Sequence, residues 1–408
     1  MSDLALGRRL MDRLEALSRF SDDAEGLTRL YLSPSHRRAA DALAGWMRDA
    51  GMDVRMDALG TLIGRYAGSA NNNRALIVGS HIDTVRNAGK YDGALGVLAA
   101  VAAVEALARR GERLPLDIEV VAFGDEEGVR FPSTLRGSRG LAGTLDPAAL
   151  DERDAAGVSV REALAAFGCD PAPDGARSST SPLAFVEVHI EQGPVLERAG
   201  RPVGIVTAIN GARRLSVAVQ GHAGHAGTSP MAMRRDSLTA AAEMILAVER
   251  IAKETRDVVA TVGVVEALPG AVNVIPGETR FTIDARAPDD AARDAVVSGI
   301  ETAIEGIAAR RGLKARIEAT HSAPATTCDA GLIVALDASV RASGYEPLHL
   351  PSGAGHDAMA MAALCPVAML FVRCAGGISH HPAEAITLED ADASMRVLLQ
   401  FLRSYNAS

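Results

Sequence analysis

Four apolar runs that each end in a histidine or acidic cluster limit the folds open to this chain more than any other feature. Residues 75–85 read ALIVGSHIDTV, 116–128 LDIEVVAFGDEEG and 183–193 LAFVEVHIEQG, and PVAMLFVRC leads into AGGISHHPAE at 375–384. Short apolar runs without alternation are the pattern of strands buried on both faces. Residues 54–66 and 74–80 are likewise expected to be strands. Between them lie helical spacings. Residues 35–50 have a Ser start and Gly51 as a stop, and 93–111 is Ala-rich and apolar on most of its surface. Helices alternating with apolar strands predict an α/β sheet covered on both faces. In such sheets ligands bind just beyond the carboxyl ends of the strands, so the four clusters should converge.

The middle of the chain follows a different rule. RRLSVAVQGHAGHAGTSP, 213–230, alternates apolar and polar residues as a half-exposed strand does. A helix (237–255), two strands (259–267 and 279–287), a helix (290–311) and a strand (315–321) are expected to follow. That β-α-β-β-α-β order is the ferredoxin-like pattern. Residues 211–325 are therefore read as an inserted α+β domain between two parts of a catalytic domain, 1–210 and 326–408. A length of 408 residues also exceeds what one core ordinarily sustains. Residues 332–344 return to a buried helix.

Bulk properties exclude several partners. The net charge is −9 with no block of clustered Lys and Arg, which argues against nucleic acid. No apolar run approaches the ~20 residues of a membrane span. The opening MSDLALGRRL lacks an apolar core with a cleavage site. Cys169, Cys328, Cys365 and Cys374 form no C-x-x-C pair and read as reduced thiols. These properties are those expected of a soluble cytoplasmic enzyme or a large binding protein, and they do not separate the two.

The clusters themselves suggest metal chemistry. His81 and Asp83 stand two apart, on one side of a strand, so the acid can orient the imidazole. Asp92, in YDGALGV, sits in a Gly-rich turn at the start of a buried helix. There it is either an N-cap or a bridge between two ions. Consecutive acids at 125–127 are costly to desolvate unless cations neutralise them. One of them can ligate while its neighbour serves as a base. His189 and His380 complete a mixed imidazole and carboxylate set of the kind that suits zinc or manganese. His36 is expected to be solvated on a polar helix face. His222, His225 and His356 sit in Gly-rich loops.

The segments GSHIDTV, YDGALGV, FGDEEGVRFP, EVHIEQGP, GHAGHAGTSPM, NVIP, IDARAP, SGAGHDA and GISHHPAE, in that order, resemble the hydantoinase/carbamoylase family of dinuclear-metal amidohydrolases. The match runs from about residue 10 to the end of the chain. The resemblance implies the mixed-sheet fold of the co-catalytic zinc peptidases with an inserted dimerisation and lid domain. It implies that His81, Asp92, Glu127, His189 and His380 hold two divalent ions, zinc or manganese, with Asp92 bridging. It implies Asp83 as the partner of His81 and Glu126 as the general base. Gln192, His225, Asn273, Arg286 and Gly355 match substrate-contacting positions, with His356 beside the last. His225 would be supplied in trans within a homodimer. Ser229 stands where the family would lead one to expect Thr or Val.

The family's substrates are small ureido carboxylates. A ureido carbonyl is a poor electrophile, and two metal ions overcome that. Arg286 suits a two-pronged grip on the substrate carboxylate. Arg213 and Arg214 resemble the allantoate branch, where one further Arg contacts substrate; Arg213 is the candidate here. N-carbamoyl-L-amino acids are the next expectation. A peptidase of the same fold and an inactive binding protein are the remaining alternatives, the latter disfavoured because every ligand and the base are kept.

Overall fold

Strands that are apolar on both sides can only lie between layers, and the chain puts them there. The computed structural model describes residues 5–405 apart from 71, 177 and 179. Two compact units emerge: Met1–Thr207 with Cys328–Leu350 and Ala354–Ser408, and Ala208–Thr327 with Pro351–Gly353.

The first unit is built on β1 (Asp53–Met56), β2 (Leu62–Tyr66), β3 (Arg74–His81), β4 (Asp117–Phe123), β5 (Ser181–Ile190), β6 (Val203–Ile209) and the strand Val367–Val372. Their order across the sheet is β1-β2-β4-β3-β5-(367–372)-β6. β4, β3, β5 and Val367–Val372 are mutually parallel neighbours. These are the four apolar runs, so their polar ends emerge on one edge of the sheet. β1, β2 and β6 join antiparallel. The mixed α/β architecture agrees with the reading of the sequence.

The expected strand 54–66 breaks into β1 and β2. Asp57 Oδ1 accepts the N–H groups of Leu59 (2.8 Å) and Thr61 (2.9 Å), closing a turn with Gly60 at φ 80°. Helices α1 (Ala5–Ser18), α2 (Pro34–Asp49), α3 (Ala94–Ala108) and Leu388–Ser404 pack on the core of Leu76, Val78, Val120, Val186 and Leu370. Twelve of the fifteen α3 residues are buried, which explains its small side chains. A Cβ at Gly96 would lie 2.1 Å from the Val188 carbonyl oxygen. The helix Ala330–Ala342 is only half buried, with Val334 exposed.

His36 corrects the sequence reading, for it is completely buried rather than solvated. It sits three residues after the N-cap Ser33 of α2, whose side chain accepts its N–H. Its Nδ1 in turn accepts the N–H of Leu32 at 2.9 Å. The ring packs near Tyr31 and Phe167, at centroid distances of 5.8 and 5.1 Å. Burial lowers its pKa to about 3.

In the second unit, Val265–Leu268, Glu278–Ala287, Gly211–Gln220 and Lys314–Ala323 form an antiparallel sheet in that order, and Val259–Thr261 also pairs with Glu278–Ala287. The expected strand 259–267 is thus two short segments. Leu215, Val217, Val219, Phe281 and Ile283 make a separate core with Met244, Val248, Ile300 and Ile304 from the helices Ser237–Lys253 and Asp290–Arg310. Residues 351–353 belong to this unit because Asn210 N–H donates to Ser352 O (2.9 Å) and Arg286 Nη1 to Gly353 O (2.8 Å). All four cysteines are free. Among the described residues no helix is long and apolar enough to cross a membrane.

Candidate active site

Beyond the carboxyl ends of the four parallel strands the predicted ligands meet. His81 ends β3, His189 is the penultimate residue of β5, and Glu126 and Glu127 follow β4. His380 follows Val367–Val372, and Asp92 enters from the turn before α3. Asp92 Oδ1 lies 3.4 Å from His81 Nε2 and 3.1 Å from His189 Nε2. Its other oxygen, Oδ2, lies 3.4 Å from His380 Nε2, which is 3.5 Å from Glu127 Oε2. Three groups could hold a cation: His81–Asp92–His189, Asp92–Glu127–His380 and His81–Glu126–Glu127.

The donor chemistry fits metal. His81 Nδ1 is 3.0 Å from the carbonyl oxygen of Asp83, and His189 Nδ1 is 2.9 Å from that of Ile190. With protons held there, both Nε2 atoms turn a lone pair toward Asp92 Oδ1, and His189 Nε2 also accepts the Gly93 N–H at 3.2 Å. Acceptors facing acceptors repel unless a cation lies between them. Ligand atoms roughly 3.4 Å apart are what tetrahedral bonds of about 2.1 Å produce. Glu127 Oε1 is buried without a hydrogen-bond partner among the described residues, as an atom awaiting a cation would be. Burial and Asp92 push the Glu127 carboxyl up to about 7. Burial, with Glu127 and Asp357 nearby, holds Glu126 well above the usual carboxylate range.

Local backbone aims these groups. Asp125 adopts a left-handed conformation (φ 68°), its carboxylate paired with buried Arg136. That turn delivers Glu126 and Glu127, whose N–H groups donate to Asp83 Oδ1 (3.2 Å) and Oδ2 (3.3 Å). The Asp83 carboxylate is 3.7 Å from His81 Nδ1, so its firmer role is to tie β3 to this turn. Gly93 (φ 64°) is required, because a Cβ there would lie 2.5 Å from the His81 ring. Gln192 (φ 57°) and His380 (φ 56°) are also left-handed, a strain that clusters at functional sites.

The model of peptidase family M20/M25/M40 matches residues 77–404. This chain belongs to that family. It is 42% identical to an allantoate deiminase of Arabidopsis thaliana, over 96% of this chain and 81% of the relative. It is 43% identical to an N-carbamoyl-L-amino acid amidohydrolase of Geobacillus stearothermophilus, covering 96% and 97%. A hydantoinase/carbamoylase family amidase of Burkholderia multivorans superposes with a TM-score of 0.93 at 32% identity, covering 98% and 97%. The chain is a hydrolase of this M20 group.

The other predicted site residues fall into two sets. In the first unit Gln192 Nε2 donates to Asp92 Oδ2 at 2.8 Å. His356 is buried edge-on to His189 at 4.6 Å, and burial holds its pKa well below the imidazole range. Gly355 immediately precedes it. In the second unit His225 is exposed and pairs in register with Val274, next to Asn273, whose carbonyl accepts the Ala226 N–H. Arg286 donates to Asp284 (2.8 and 3.1 Å), which Arg214 also reaches at 2.9 Å. Arg213 lies on the opposite, helix-covered face with Leu215 and Val217, 3.5 Å from Asp294. The Arg beside Arg286 is therefore Arg214.

Sequence reasoning missed two residues of the GISHHPAE cluster. Ser379 Oγ donates to Asp92 Oδ2 at 2.7 Å. Glu384 accepts the N–H groups of Tyr91 and Asp92. Their place within a polar cluster after an apolar run was the available signal.

Proposed function

We propose that the protein is a dinuclear-metal amidohydrolase that cleaves a C–N bond of a linear ureido carboxylate, allantoate first. The observation that carries this reading is the placement of Asp92, one oxygen toward His81 and His189 and the other toward His380. One carboxylate thus serves two donor sets. Two divalent ions, zinc or manganese, would be held by His81, His189, Glu127 and His380, with Asp92 between them. When bound they supply Lewis acidity toward the ureido carbonyl and a lowered pKa for water. Glu126, which follows β4 beside the two donor sets, would take a proton from water and return it to the leaving nitrogen.

The second unit carries the substrate side. A cleft of about 640 Å³ is lined by Arg214, Ser216, Thr261, Asp284, Arg286 and Gly353. Two guanidinium groups share one carboxylate there, leaving a positive charge for the substrate carboxylate. The second Arg favours allantoate, which offers two ureido arms besides its carboxylate. N-carbamoyl-L-amino acids are the alternative, favoured by the relative from Geobacillus stearothermophilus at 43% identity.

The proposal includes a homodimer in which His225 acts in trans and the second unit moves as a lid. Exposed His225 and the strand Lys314–Ala323, paired on one side only among the described residues, support it. Four free cysteines are in keeping with a cytoplasmic location. The deciding experiment is ammonia release from allantoate, N-carbamoyl-L-amino acids and N-carbamoyl-β-alanine, each with added manganese or zinc. Release from none of them would overturn the reading.

A further inference from the structure

Helix α3 starts two residues after Asp92 and ends at Ala108, roughly 22 Å away at 1.5 Å per residue. At that far end the first unit has a cavity of about 430 Å³ lined by Arg9, Arg109, Arg110, Arg396 and Arg403. Leu6, Ala102, Ala106 and Leu399 form its apolar wall. No residue of this cavity belongs to the metal-ligand cluster.

Its charge is unbalanced. Arg9, Arg13 (2.9 Å) and Arg109 (2.7 Å) all converge on Glu105. Arg110 (3.7 Å) and Arg403 (2.8 Å) share Glu112. Among the described residues these five guanidinium groups pair with two carboxylates, and Arg396 is paired separately with Asp392 at 2.6 Å. Arg13, which shares Glu105 with the lining residues Arg9 and Arg109 but does not itself line the cavity, has Nη1 buried with no hydrogen-bond partner among the described residues. Burial, and then the like charges of Arg9 and Arg109, lower the Arg13 pKa.

Helix dipoles explain part of this, since cations are favoured near helix carboxyl ends. That accounts for Arg109, Arg110 and Arg403. It does not account for Arg9 and Arg396, which come from the interiors of their helices into the same cavity. Converging guanidinium groups match an anion with several acceptor oxygens and more than one charge, which describes phosphate better than carboxylate. The apolar wall and the volume, within the range of small-molecule sites, call for an organic body attached to it.

The geometry points to a second ligand site here, remote from the metal-ligand cluster, for a phosphorylated small molecule of mononucleotide size. The test is calorimetric titration of the full-length, metal-loaded protein with adenosine monophosphate, adenosine and pyrophosphate. Adenosine monophosphate should bind at least tenfold more tightly than either of the others. Arg109→Ala/Arg403→Ala should weaken it at least tenfold while hydrolysis without the nucleotide stays unchanged. Should that variant fail to fold, Arg110→Ala, at a side chain 56% exposed, should still weaken binding severalfold. Adenosine or pyrophosphate binding as tightly as the monophosphate, or monophosphate binding that is unchanged in a folded variant, overturns the assignment. So does the absence of binding.

Discussion

A single oxygen of Glu384, Oε1, accepts the backbone N–H groups of both Tyr91 (2.7 Å) and Asp92 (3.1 Å), across more than 290 residues of sequence. The carboxylate is buried and holds the turn that presents Asp92 to three imidazoles. Outer groups of this kind typically contribute about 10–100-fold to metal affinity. Glu384→Ala should therefore weaken metal binding by about that factor, read by competition with a chelator. Glu384→Gln keeps an acceptor oxygen and should retain most of the affinity. Equal losses in both variants would show that the charge of Glu384, not its grip on the turn, is what counts.

Glu126 and Asp92 should separate chemistry from binding. Glu126 lies 3.8 Å from His81 Nε2 and outside the two donor sets that share Asp92. Glu126→Gln should keep its metal and lose about 10²–10⁴-fold in turnover, the usual contribution of a general base. Asp92→Ala should lower occupancy of both positions, whereas His189→Ala or His380→Ala should each empty mainly one. Elemental analysis beside a rate assay checks all four. Two metals per subunit in Asp92→Ala would remove the bridge from the mechanism.

The convergence of the candidate ligands was legible because a polar cluster after an apolar run is a local signal, and parallel strands bring such ends together. The ferredoxin-like order of the second unit was legible through its period-two alternation. His36 was not, because the Phe167 ring against it lies 131 residues further along the chain. Glu384 stood in the same local cluster as His380, but its partners, Tyr91 and Asp92, lie more than 290 residues earlier in the chain. Arg213 is different: Leu215, Val217 and Val219 are buried, so strand parity alone puts Arg213 on the covered face and Arg214 on the open one. The break in 54–66 also had its signal, an Asp-x-x-Gly turn that apolar flanks obscured.

His36 predicts an acid-sensitive fold. In the unfolded chain it would titrate near 6.5, and in the native protein burial lowers it to about 3. The unfolded state therefore binds the proton more readily, and no penalty exists above pH 6.5. As pH falls below 6.5 stability is lost progressively, by about 3 kcal/mol at pH 4 and on the order of 5 kcal/mol below pH 3. Asn at this position can still accept the Leu32 N–H without acquiring a charge. Urea unfolding of wild type and His36→Asn at pH 7, 5.5 and 4 should show the variant losing less stability toward acid. Parallel losses would place the acid sensitivity elsewhere.

Subunit mixing tests the trans assignment of His225. The residue is exposed, and its Nδ1 accepts the Gly227 N–H at 3.0 Å. If His225 completes the neighbour's site, His225→Ala removes a donor from the opposite subunit, while Glu126→Gln removes the base from its own. Each variant alone should be nearly inactive, since both sites of each homodimer lack one essential group. In a mixed dimer the His225→Ala subunit keeps its own Glu126 and receives an intact His225 from its partner. The other site lacks both groups. Activity should return to as much as half of wild type per mixed dimer, with subunit exchange confirmed by differential tagging. A contribution in cis predicts no recovery, because each subunit would then carry its own defect wherever it is placed.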